Sequence, residues 1–398
     1  MNQKPQIRLV PVGASDSAPA NGSGSGLDLP GLKDLALRSL TVLFDENEQL
    51  FCRHVTLTDA GFRRAETSPK CTIIALLGLR RLVESGVRQP FDLTAIQNAV
   101  LRDTSWVKSI GELGLLTRFI ADCVPDRLAA LLRDFDLGAA LEAKLDNKQG
   151  RTTELGDFLA GIAHAQLACP DVLPDLMDVA VDAYHSLADS QSDGGIFGYA
   201  ASPGFLRRSF SNRFGTFADQ VHAIYALATF ARAFQIEEPI APALNCANAI
   251  RALQGESGQW WFSYDKHECR VVNHYPVHSQ SQDAVAPIAL LALAEVTGQD
   301  FNESIRNGLS WVAGANELGM DFRNFDHGVI WDSLEPTGRI ANYREAALSL
   351  LNVSRRLQAR NLRVRLEATT SHFGWLLYAV GRFGVPSVVM AAKAATAR

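Results

Sequence analysis

The sequence has little that would place it in a membrane, on a nucleic acid or around a bound cofactor. No segment approaches the roughly 18 uninterrupted apolar residues of a membrane-spanning helix, so none is predicted. The 38 basic and 43 acidic residues give a formal net charge of -5 at pH 7, and the basic residues are scattered, which disfavours a nucleic-acid-binding surface. No glycine-rich phosphate loop or dinucleotide-binding fingerprint occurs, so we predict no cofactor.

Cysteine is also sparse and widely spaced. None of the six cysteines forms a C-x-x-C pair or a Cys/His spacing typical of zinc, so we predict no metal site. We expect most of them to be small buried residues of a protein in a reducing compartment. The six are Cys52, Cys71, Cys123, Cys169, Cys246 and Cys269.

Residues 1–28 lack the features of a secretory signal. Lys4 and Arg8 are followed by a stretch rich in Gly and Ser, not by an apolar segment with a cleavage site. We therefore expect a disordered leader over residues 1–28, one domain over residues 29–398 and a cytoplasmic protein.

From Leu29 onward, apolar residues recur at helical spacing, and strand-like alternation is confined to short places such as Arg270–Val272. Amphipathic helices, expected outside, alternate with helices that are apolar nearly all round, expected inside. Six outer and inner pairs, followed by a last helix near 368–383, predict an all-α fold, an (α/α)6 toroid with long loops at one end. The pairs are 30–45 with 68–85, 91–103 with 108–122, 125–146 with 152–169, 171–189 with 217–235, 241–254 with 280–298, and 302–314 with 340–358.

The repeat is also visible in individual residues. In four predicted inner helices an acid precedes a core position by five residues, and the acids are 62, 64 and 62 residues apart. Repeated residues at a fixed period are stronger evidence for a repeat architecture than hydropathy alone. The four acids are Asp157, Asp219, Asp283 and Glu345.

A second pattern, Q-x-x-x-G-x-aromatic, follows two predicted outer helices and starts at Gln191 and Gln254, 63 residues apart. A weaker third copy starts at Asn316, with its glycine shifted by one position. The pattern resembles the repeated motif of squalene and oxidosqualene cyclases, and the helix layout resembles the wider α/α-toroid group. That group includes prenyltransferase β subunits, glycoside hydrolase and polysaccharide lyase families and sugar epimerases, so the resemblance implies a fold and leaves the chemistry open.

Because the inner helices of such a ring run parallel, their N-terminal ends face one mouth. Three connections of 25 to 27 residues enter the same mouth, at 190–216, 255–279 and 315–339. Their aromatic rings, carboxylates and guanidinium groups suit a sugar. The predicted catalytic residues are Asp283, Asp219, Asp265, His274 and Tyr275. The predicted substrate-binding residues are Trp261, Tyr264, Arg213, His278, Gln282, Asp326, His327, Trp331 and Asp332.

These residue types suit more than one reaction on an oligosaccharide, and the loop arginines suit an anionic one. A glycoside hydrolase needs two carboxylates about 5–5.5 Å or about 6.5–9.5 Å apart, which the helix and loop acids could supply. A lyase would use Tyr and His as base and acid, with Asn or Arg beside a uronate, and Asn273, His274 and Tyr275 offer those types. Hydrolase, lyase and isomerase stay open, as do structural roles such as helix capping for the acids.

Two other function classes also stay open. A terpenoid cyclase or prenyltransferase relative would fit the fold, but the D-x-D-D, D-D-x-x-D and D-x-C strings of those enzymes are missing. A toroid without catalysis could bind a partner, although a gathering of titratable groups at one mouth favours an enzyme. The predicted partner is an oligosaccharide or another small polar substrate.

Overall fold

The protein is mainly helical in the computed structural model, which describes residues 29–146, 151–170, 176–199, 213–337 and 359–381. These residues contain thirteen α-helices, one π-helical turn and only short strands. The prediction of an all-α (α/α)6 toroid is confirmed. The predicted leader 1–28 and the predicted helix 340–358, with its Glu345, lie outside the described residues.

Six helices form the inner ring: α2 (Pro69–Glu84), α4 (Ile110–Cys123), α7 (Thr152–Ala168), α9 (Phe217–Phe234), α11 (Ala286–Thr297) and α13 (Thr370–Val380). Each packs against the next, and α13 packs against α2, so the ring closes. The outer helices in the described part of the chain are α1 (Leu29–Leu43), α3 (Leu93–Arg102), α5 (Leu128–Asp134), α6 (Leu137–Asp146), α8 (Leu176–Ala188), α10 (Ile240–Ala252) and α12 (Asn302–Val312).

The last member of the inner ring differs from the prediction. Thr370–Val380, expected as an extra helix after six pairs, is itself the sixth inner helix. It contacts α2 on one side, and on the other it contacts α11 and the π turn Ser281–Val285 that precedes α11. Hydropathy could not show this, because only long-range packing decides which of two consecutive helical segments closes a ring.

Local chemistry explains where the inner helices begin and why they lie inside. The side chains of Ser68, Ser109 and Thr216 accept hydrogen bonds from backbone N–H groups in the first turns of α2, α4 and α9. Buried positions run around most of the circumference of α4 and α9, which is why these helices are apolar on nearly every face. Within the described ranges, no helix is long and apolar enough to cross a bilayer.

Glycines let neighbouring inner helices touch backbone to backbone. A Cβ added at Gly161 of α7 would overlap the carbonyl group of Gly114 in α4, and one added at Gly114 would overlap the backbone of Asp157 and Phe158. In the same way, a Cβ at Gly78 of α2 would overlap the backbone of α13.

Replacing Gly161 with alanine is expected to destabilise the protein. The added methyl group meets backbone, which cannot rotate away, and overpacking of this kind costs about 1–3 kcal/mol. Gly138→Ala is the matched control, since a Cβ there has only ordinary contacts, the nearest at 3.5 Å, and the change should be neutral or stabilising by up to about 1 kcal/mol. Thermal and urea unfolding of both variants measure this, and equal stabilities would contradict the close helix contact.

Three small antiparallel sheets surround the N-terminal ends of the inner helices. They are β5–β6–β7, β8–β11–β12 and β13–β3–β4, and β5, β8 and β13 lead into α9, the π turn and α13. The expected strand near Arg270 is β7. The strands are β1 (Phe44–Asp45), β2 (Leu50–Phe51), β3 (His54–Thr58), β4 (Gly61–Arg64), β5 (Phe214–Thr216), β6 (Ser263–Asp265), β7 (Arg270–Asn273), β8 (Val277–His278), β9 (Arg323–Asn324), β10 (Val329–Ile330), β11 (Ser333–Pro336), β12 (Leu362–Arg365) and β13 (Glu367–Thr369).

The Q-x-x-x-G-x-aromatic repeat joins one outer helix to the next. Gln191 Nε2 donates to the carbonyl oxygens of Gly195 and Pro242, at 2.9 and 2.8 Å. Gln254 Nε2 donates in the same way to the glycine four residues on and to a carbonyl of α12. Gly195 and the equivalent glycine 258 have φ values of 87° and 89°, and a Cβ on either would overlap the next outer helix. The motif therefore has a structural role, which is to connect consecutive outer helices of the toroid.

Candidate functional site

A cavity of about 360 Å³, including space open to solvent, lies inside the inner ring. Residues from five of the six inner helices form its wall, mostly from their N-terminal and middle turns, and the small sheets surround the same end of the ring. The wall consists of Arg118, Gly156, Asp157, Val221, His222, Tyr225, Val285, Ile288 and Trp375.

A carboxylate–imidazole pair joins two walls of the cavity. Asp157 Oδ1 on α7 lies 2.7 Å from His222 Nδ1 on α9, and their side chains are 29% and 28% exposed. Burial alone would lower the pKa of His222, but the charge of Asp157 and its hydrogen bond raise that pKa above 6.5. Asp157 therefore favours the protonated form of His222, which can donate a proton.

A buried guanidinium group lies deeper in the cavity. The Arg118 Cζ atom lies 4.7 Å from the ring centre of Tyr225, 4.8 Å from that of Trp375 and 4.7 Å from that of Tyr378. Arg118 is only 6% exposed, and its Nε and Nη2 atoms have no hydrogen-bond partner among the residues that the structure describes. Buried donors without partners are costly, so a ligand with acceptor atoms would satisfy them.

A chain of hydrogen bonds continues from the cavity wall toward the C-terminal ends of the inner helices. His164 Nε2 lies 2.8 Å from the Tyr225 hydroxyl, and His164 Nδ1 lies 2.8 Å from Asp122 Oδ1. The Tyr225 hydroxyl also lies 3.3 Å from that of Tyr378, which accepts a hydrogen bond from Arg81. Five of the six inner helices thus supply one connected polar network around the ring axis.

The electrostatics of this network are strongly perturbed by its burial. Burial opposes the charge on Asp122, but His164 and Arg118 outweigh it and lower the pKa of Asp122 to about 2. Burial also opposes a phenolate at Tyr378, yet the positive charges of Arg118 and Arg81 hold the pKa of that hydroxyl well below its usual value. Groups perturbed in this way, in and around a cavity, mark a candidate active site.

Comparison with known proteins identifies the same fold in sugar enzymes. No family model and no curated protein matches the sequence. A solved unsaturated glucuronyl hydrolase specific for heparin is 14% identical, with a TM-score of 0.59 over 92% of this chain and 98% of that one. The cellobiose 2-epimerase of Bacillus thermoamylovorans is 10% identical, with a TM-score of 0.61 over 89% and 99%. An unsaturated glucuronyl hydrolase from Streptococcus agalactiae is 12% identical, with a TM-score of 0.56 over 89% and 91%. At these identities the similarity shows the toroid fold.

The two predicted helix acids lie next to the cavity wall and are fully buried. Asp219 accepts hydrogen bonds from the backbone N–H and hydroxyl of Thr216 in a capping box, and burial raises the pKa of Asp219 to about 6. Asp283 lies in the π turn, and its Oδ1 atom is 2.7 Å from His372 Nε2. The two acids therefore occupy different local structures, although their sequence spacing suggests one repeat.

Two predicted loop residues, Asp265 and Arg213, hold the β5–β6–β7 sheet together. Arg213 donates to Asp265 from Nε at 2.7 Å, and the backbone N–H groups of His267 and Glu268 donate to the same carboxylate. Burial opposes the charge on Asp265, but Arg213 and these N–H groups hold its pKa below the usual range. These hydrogen bonds to Asp265 stabilise the sheet and the turn that follows β6.

Three more predicted residues form an aromatic group at the mouth. The Trp261 ring meets the His274 ring edge-on, with centroids 4.5 Å apart, and also lies 6.0 Å from the Tyr275 ring. The Tyr275 hydroxyl donates to Glu317 Oε1 at 3.0 Å. Trp261 and Tyr275 are buried, so they contribute packing between the loop and the outer helices.

Gln282 and Tyr264, predicted to bind substrate, are fully buried. Gln282 Oε1 accepts a hydrogen bond from the Trp260 backbone N–H at 2.9 Å, and its amide group donates to the His278 carbonyl oxygen. Gln220 makes the same bond to the backbone of Phe197, so Gln282 is a repeated structural residue. Burial raises the pKa of the Tyr264 hydroxyl.

The remaining predicted residues lie around β8 to β11. Asp326 and His327 are exposed, and Trp331 is buried. His278 Nδ1 lies 3.5 Å from Asp332 Oδ2. Burial opposes the charge on Asp332, but His278 outweighs it and lowers its pKa.

None of the fourteen predicted residues is among those that line the ring cavity. The residues that do line it carry a weaker sequence signal. Arg118 and His222 each interrupt a helix that is otherwise apolar nearly all round, and His164 does the same just below the cavity. Such residues must find partners inside the ring. In the described part of the chain, no group of three or more His, Cys, Asp or Glu side chains is placed to hold a metal ion.

Proposed function

We propose that the protein is a carbohydrate-active enzyme and that the reacting sugar of an oligosaccharide occupies the cavity of the inner ring. The observation that carries the proposal is the partly exposed Asp157–His222 pair, whose nitrogen and oxygen atoms lie 2.7 Å apart in a cavity that an aromatic ring and a guanidinium group also line. This combination offers proton transfer, stacking and charge recognition in one place.

The fold and the wall of the cavity support a sugar ligand. The solved structures of similar fold include hydrolases of unsaturated glucuronyl sugars and an epimerase of cellobiose. Trp375 lines the cavity with an aromatic ring, the kind of side chain on which the C–H faces of a pyranose stack. The terminal ring of the oligosaccharide would enter this cavity from its solvent-open side, with the remaining rings toward the mouth.

Arg118 supports a sugar that carries a carboxylate. Its Nε and Nη2 atoms are buried without partners among the described residues, and a carboxylate accepts two parallel hydrogen bonds from a guanidinium group. A neutral hydroxyl group would satisfy only one of these two donors. The proposed substrate class is therefore an oligosaccharide that ends in a uronate.

A second candidate reaction is glycoside hydrolysis by two carboxyl groups. Asp157 is the one carboxylate among the lining residues. Asp219 lies three residues before His222, and burial raises its pKa to about 6, a value suited to a general acid. Movement of the first turn of α9 would be needed to expose Asp219, which is fully buried.

A panel of matched sugars tests the proposal. Cellobiose and cellobiouronic acid differ only by one carboxylate. The panel also contains cellobiose 6′-phosphate, farnesyl diphosphate and an unsaturated glucuronyl disaccharide derived from heparin. We expect conversion of at least one uronate-bearing sugar and slower conversion of cellobiose, followed by nuclear magnetic resonance. The product distinguishes the reactions. A free unsaturated sugar indicates hydrolysis, a new double bond indicates elimination, and an inverted carbon indicates epimerisation.

Binding without conversion of every sugar would instead favour a binding toroid. Conversion of farnesyl diphosphate alone would favour a terpenoid enzyme. Either result would contradict the proposed function.

A further inference from the structure

We propose that Tyr225 is a further catalytic residue of the cavity, a base that His164 and Asp122 orient and polarise. The proposal rests on the proposed function and gives it a reaction class, proton abstraction from a sugar carbon next to a carboxylate or carbonyl group. It is carried by a buried Asp–His–Tyr arrangement that ends on the cavity wall.

The three side chains come from three neighbouring inner helices. Asp122 belongs to the last turn of α4, His164 to the second half of α7 and Tyr225 to the middle of α9. Both distances, from Asp122 Oδ1 to His164 Nδ1 and from His164 Nε2 to the Tyr225 hydroxyl, are 2.8 Å. His164 is 3% exposed, so its ring is held between these two partners. Tyr225 alone of the three lines the cavity.

The charge on Asp122 sets the direction of proton transfer. Because the pKa of Asp122 is about 2, the group is a carboxylate at neutral pH and accepts a hydrogen bond from Nδ1–H of His164. With Nδ1 facing Asp122, the Nε2 atom of His164 faces the Tyr225 hydroxyl, and the proposed step uses the tautomer in which Nε2 is unprotonated. Tyr225 has a second neighbour in the Tyr378 hydroxyl, but that oxygen is 3.3 Å away, so His164 is the closer acceptor.

The step can be written with all protons assigned. The Tyr225 oxygen takes the proton from the sugar carbon while the original hydroxyl proton moves to His164 Nε2. The electron pair of the broken C–H bond remains on the sugar as an enolate. The imidazolium formed is paired with the Asp122 carboxylate, as in catalytic triads. The Arg118 guanidinium lines the same cavity, 4.7 Å from the Tyr225 ring centre, and would stabilise the negative charge that develops on the sugar.

His222 and Tyr225 together supply an acid and a base. They are three residues apart on α9, so both face the cavity, with Cβ atoms about 5–6 Å apart as for any such helical pair. Each is bonded to a side chain of α7, His222 to Asp157 and Tyr225 to His164. Pairs of titratable groups whose environments differ in this way divide acid and base roles.

The test uses the sugar of the panel that the wild type converts, in heavy water, with Tyr225→Phe, His164→Gln and Tyr378→Phe. We expect deuterium at the carbon next to the carboxylate or carbonyl group with the wild type. Tyr225→Phe and His164→Gln should each lower kcat by about 100-fold or more, since a positioned base contributes about 10²–10⁴-fold. KM should change little, deuterium incorporation should fall with kcat, and Tyr378→Phe should cost less than His164→Gln.

Tyr184→Phe is the matched control, because it removes a tyrosine hydroxyl group from outer helix α8, which does not line the cavity. This change should leave kcat unchanged. Circular dichroism and the measured affinity for the sugar verify that each variant is folded. Turnover that survives Tyr225→Phe, a larger loss from Tyr378→Phe than from His164→Gln, or turnover without deuterium at carbon would overturn the assignment of Tyr225 alone. If the wild type converts no sugar, the proposed function fails and this inference fails with it.

Discussion

His222→Gln is expected to lower kcat by about 10²–10⁴-fold, the usual contribution of a positioned acid or base. Glutamine keeps a polar side chain of similar length but cannot donate a proton to a leaving or carbonyl oxygen. KM should change little, because the aromatic wall and Arg118 remain in place. The measurement is steady-state turnover of the uronate-bearing sugar, with thermal unfolding as a test of folding.

The pH dependence of turnover tests the same prediction. His222 acts as an acid only while protonated, so turnover should be lost as the pH rises through its pKa, which Asp157 raises above 6.5 against the effect of burial. In Asp157→Asn, burial and the charge of Lys70 lower that pKa, opposed only by Asp219, so the alkaline limb should move to lower pH. His185→Gln on the exposed face of α8 should change neither kcat nor the profile. An unchanged profile in Asp157→Asn would rule out the pair as the acid.

Arg118→Met is expected to weaken binding of cellobiouronic acid by about 100-fold or more, because losing one member of a buried charged pair costs about 2–5 kcal/mol. Binding of cellobiose, which lacks the carboxylate, should change far less. The physical reason is the guanidinium group, whose Nε and Nη2 donors have no partner in the described part of the protein. Titration calorimetry of both sugars gives the comparison directly.

Arg118→Lys separates charge from geometry. Lysine keeps the positive charge but lacks the planar fork that binds a carboxylate through two hydrogen bonds, so its affinity should fall between those of wild type and Arg118→Met. Arg80→Met, which removes a half-exposed arginine paired with Glu84 on α2, should bind both sugars normally. Equal losses for the two sugars in Arg118→Met would mean that Arg118 supports the fold and does not recognise an anion.

The toroid was predictable because the pattern of apolar residues that produces it extends along the whole chain. Outer helices need one apolar face and inner helices need several, and this difference recurs at a nearly constant period. The Gln191 and Gln254 repeats were also visible, and each glutamine bonds the same two kinds of carbonyl group. The identity of the sixth inner helix was not predictable, because it depends on contacts between α13 and α2, close to 300 residues apart in sequence.

The candidate site was harder to predict than the fold. Tyr, His, Arg and Asp were the expected residue types, but the sequence placed them in the loops, where titratable groups are dense. The structure uses Arg213 and Asp265 to join strands, and it places Arg118, His222 and Tyr225 on apolar inner helices. Which face of an inner helix meets the axis depends on packing against both neighbours, and single-helix periodicity is silent on this when every face is apolar.

The π turn shows the same limit on a smaller scale. The spacing of Asp219 and Asp283 suggests equivalent positions, yet Asp219 caps α9 and Asp283 lies in the π turn and bonds His372. The glutamines Gln220 and Gln282, 62 residues apart, are the residues that make equivalent bonds. In the sequence, both the acids and the glutamines look like members of one repeat. Only the structure shows that the glutamines are equivalent and the acids are not.

The position of a bound sugar tests the central claim most directly. In a crystal of the protein soaked with cellobiouronic acid, we predict the carboxylate within hydrogen-bonding distance of Arg118, the terminal ring against Trp375 and a sugar atom in reach of His222. A sugar ordered only against Trp261 and the loop 255–279, with the ring cavity empty, would contradict the account.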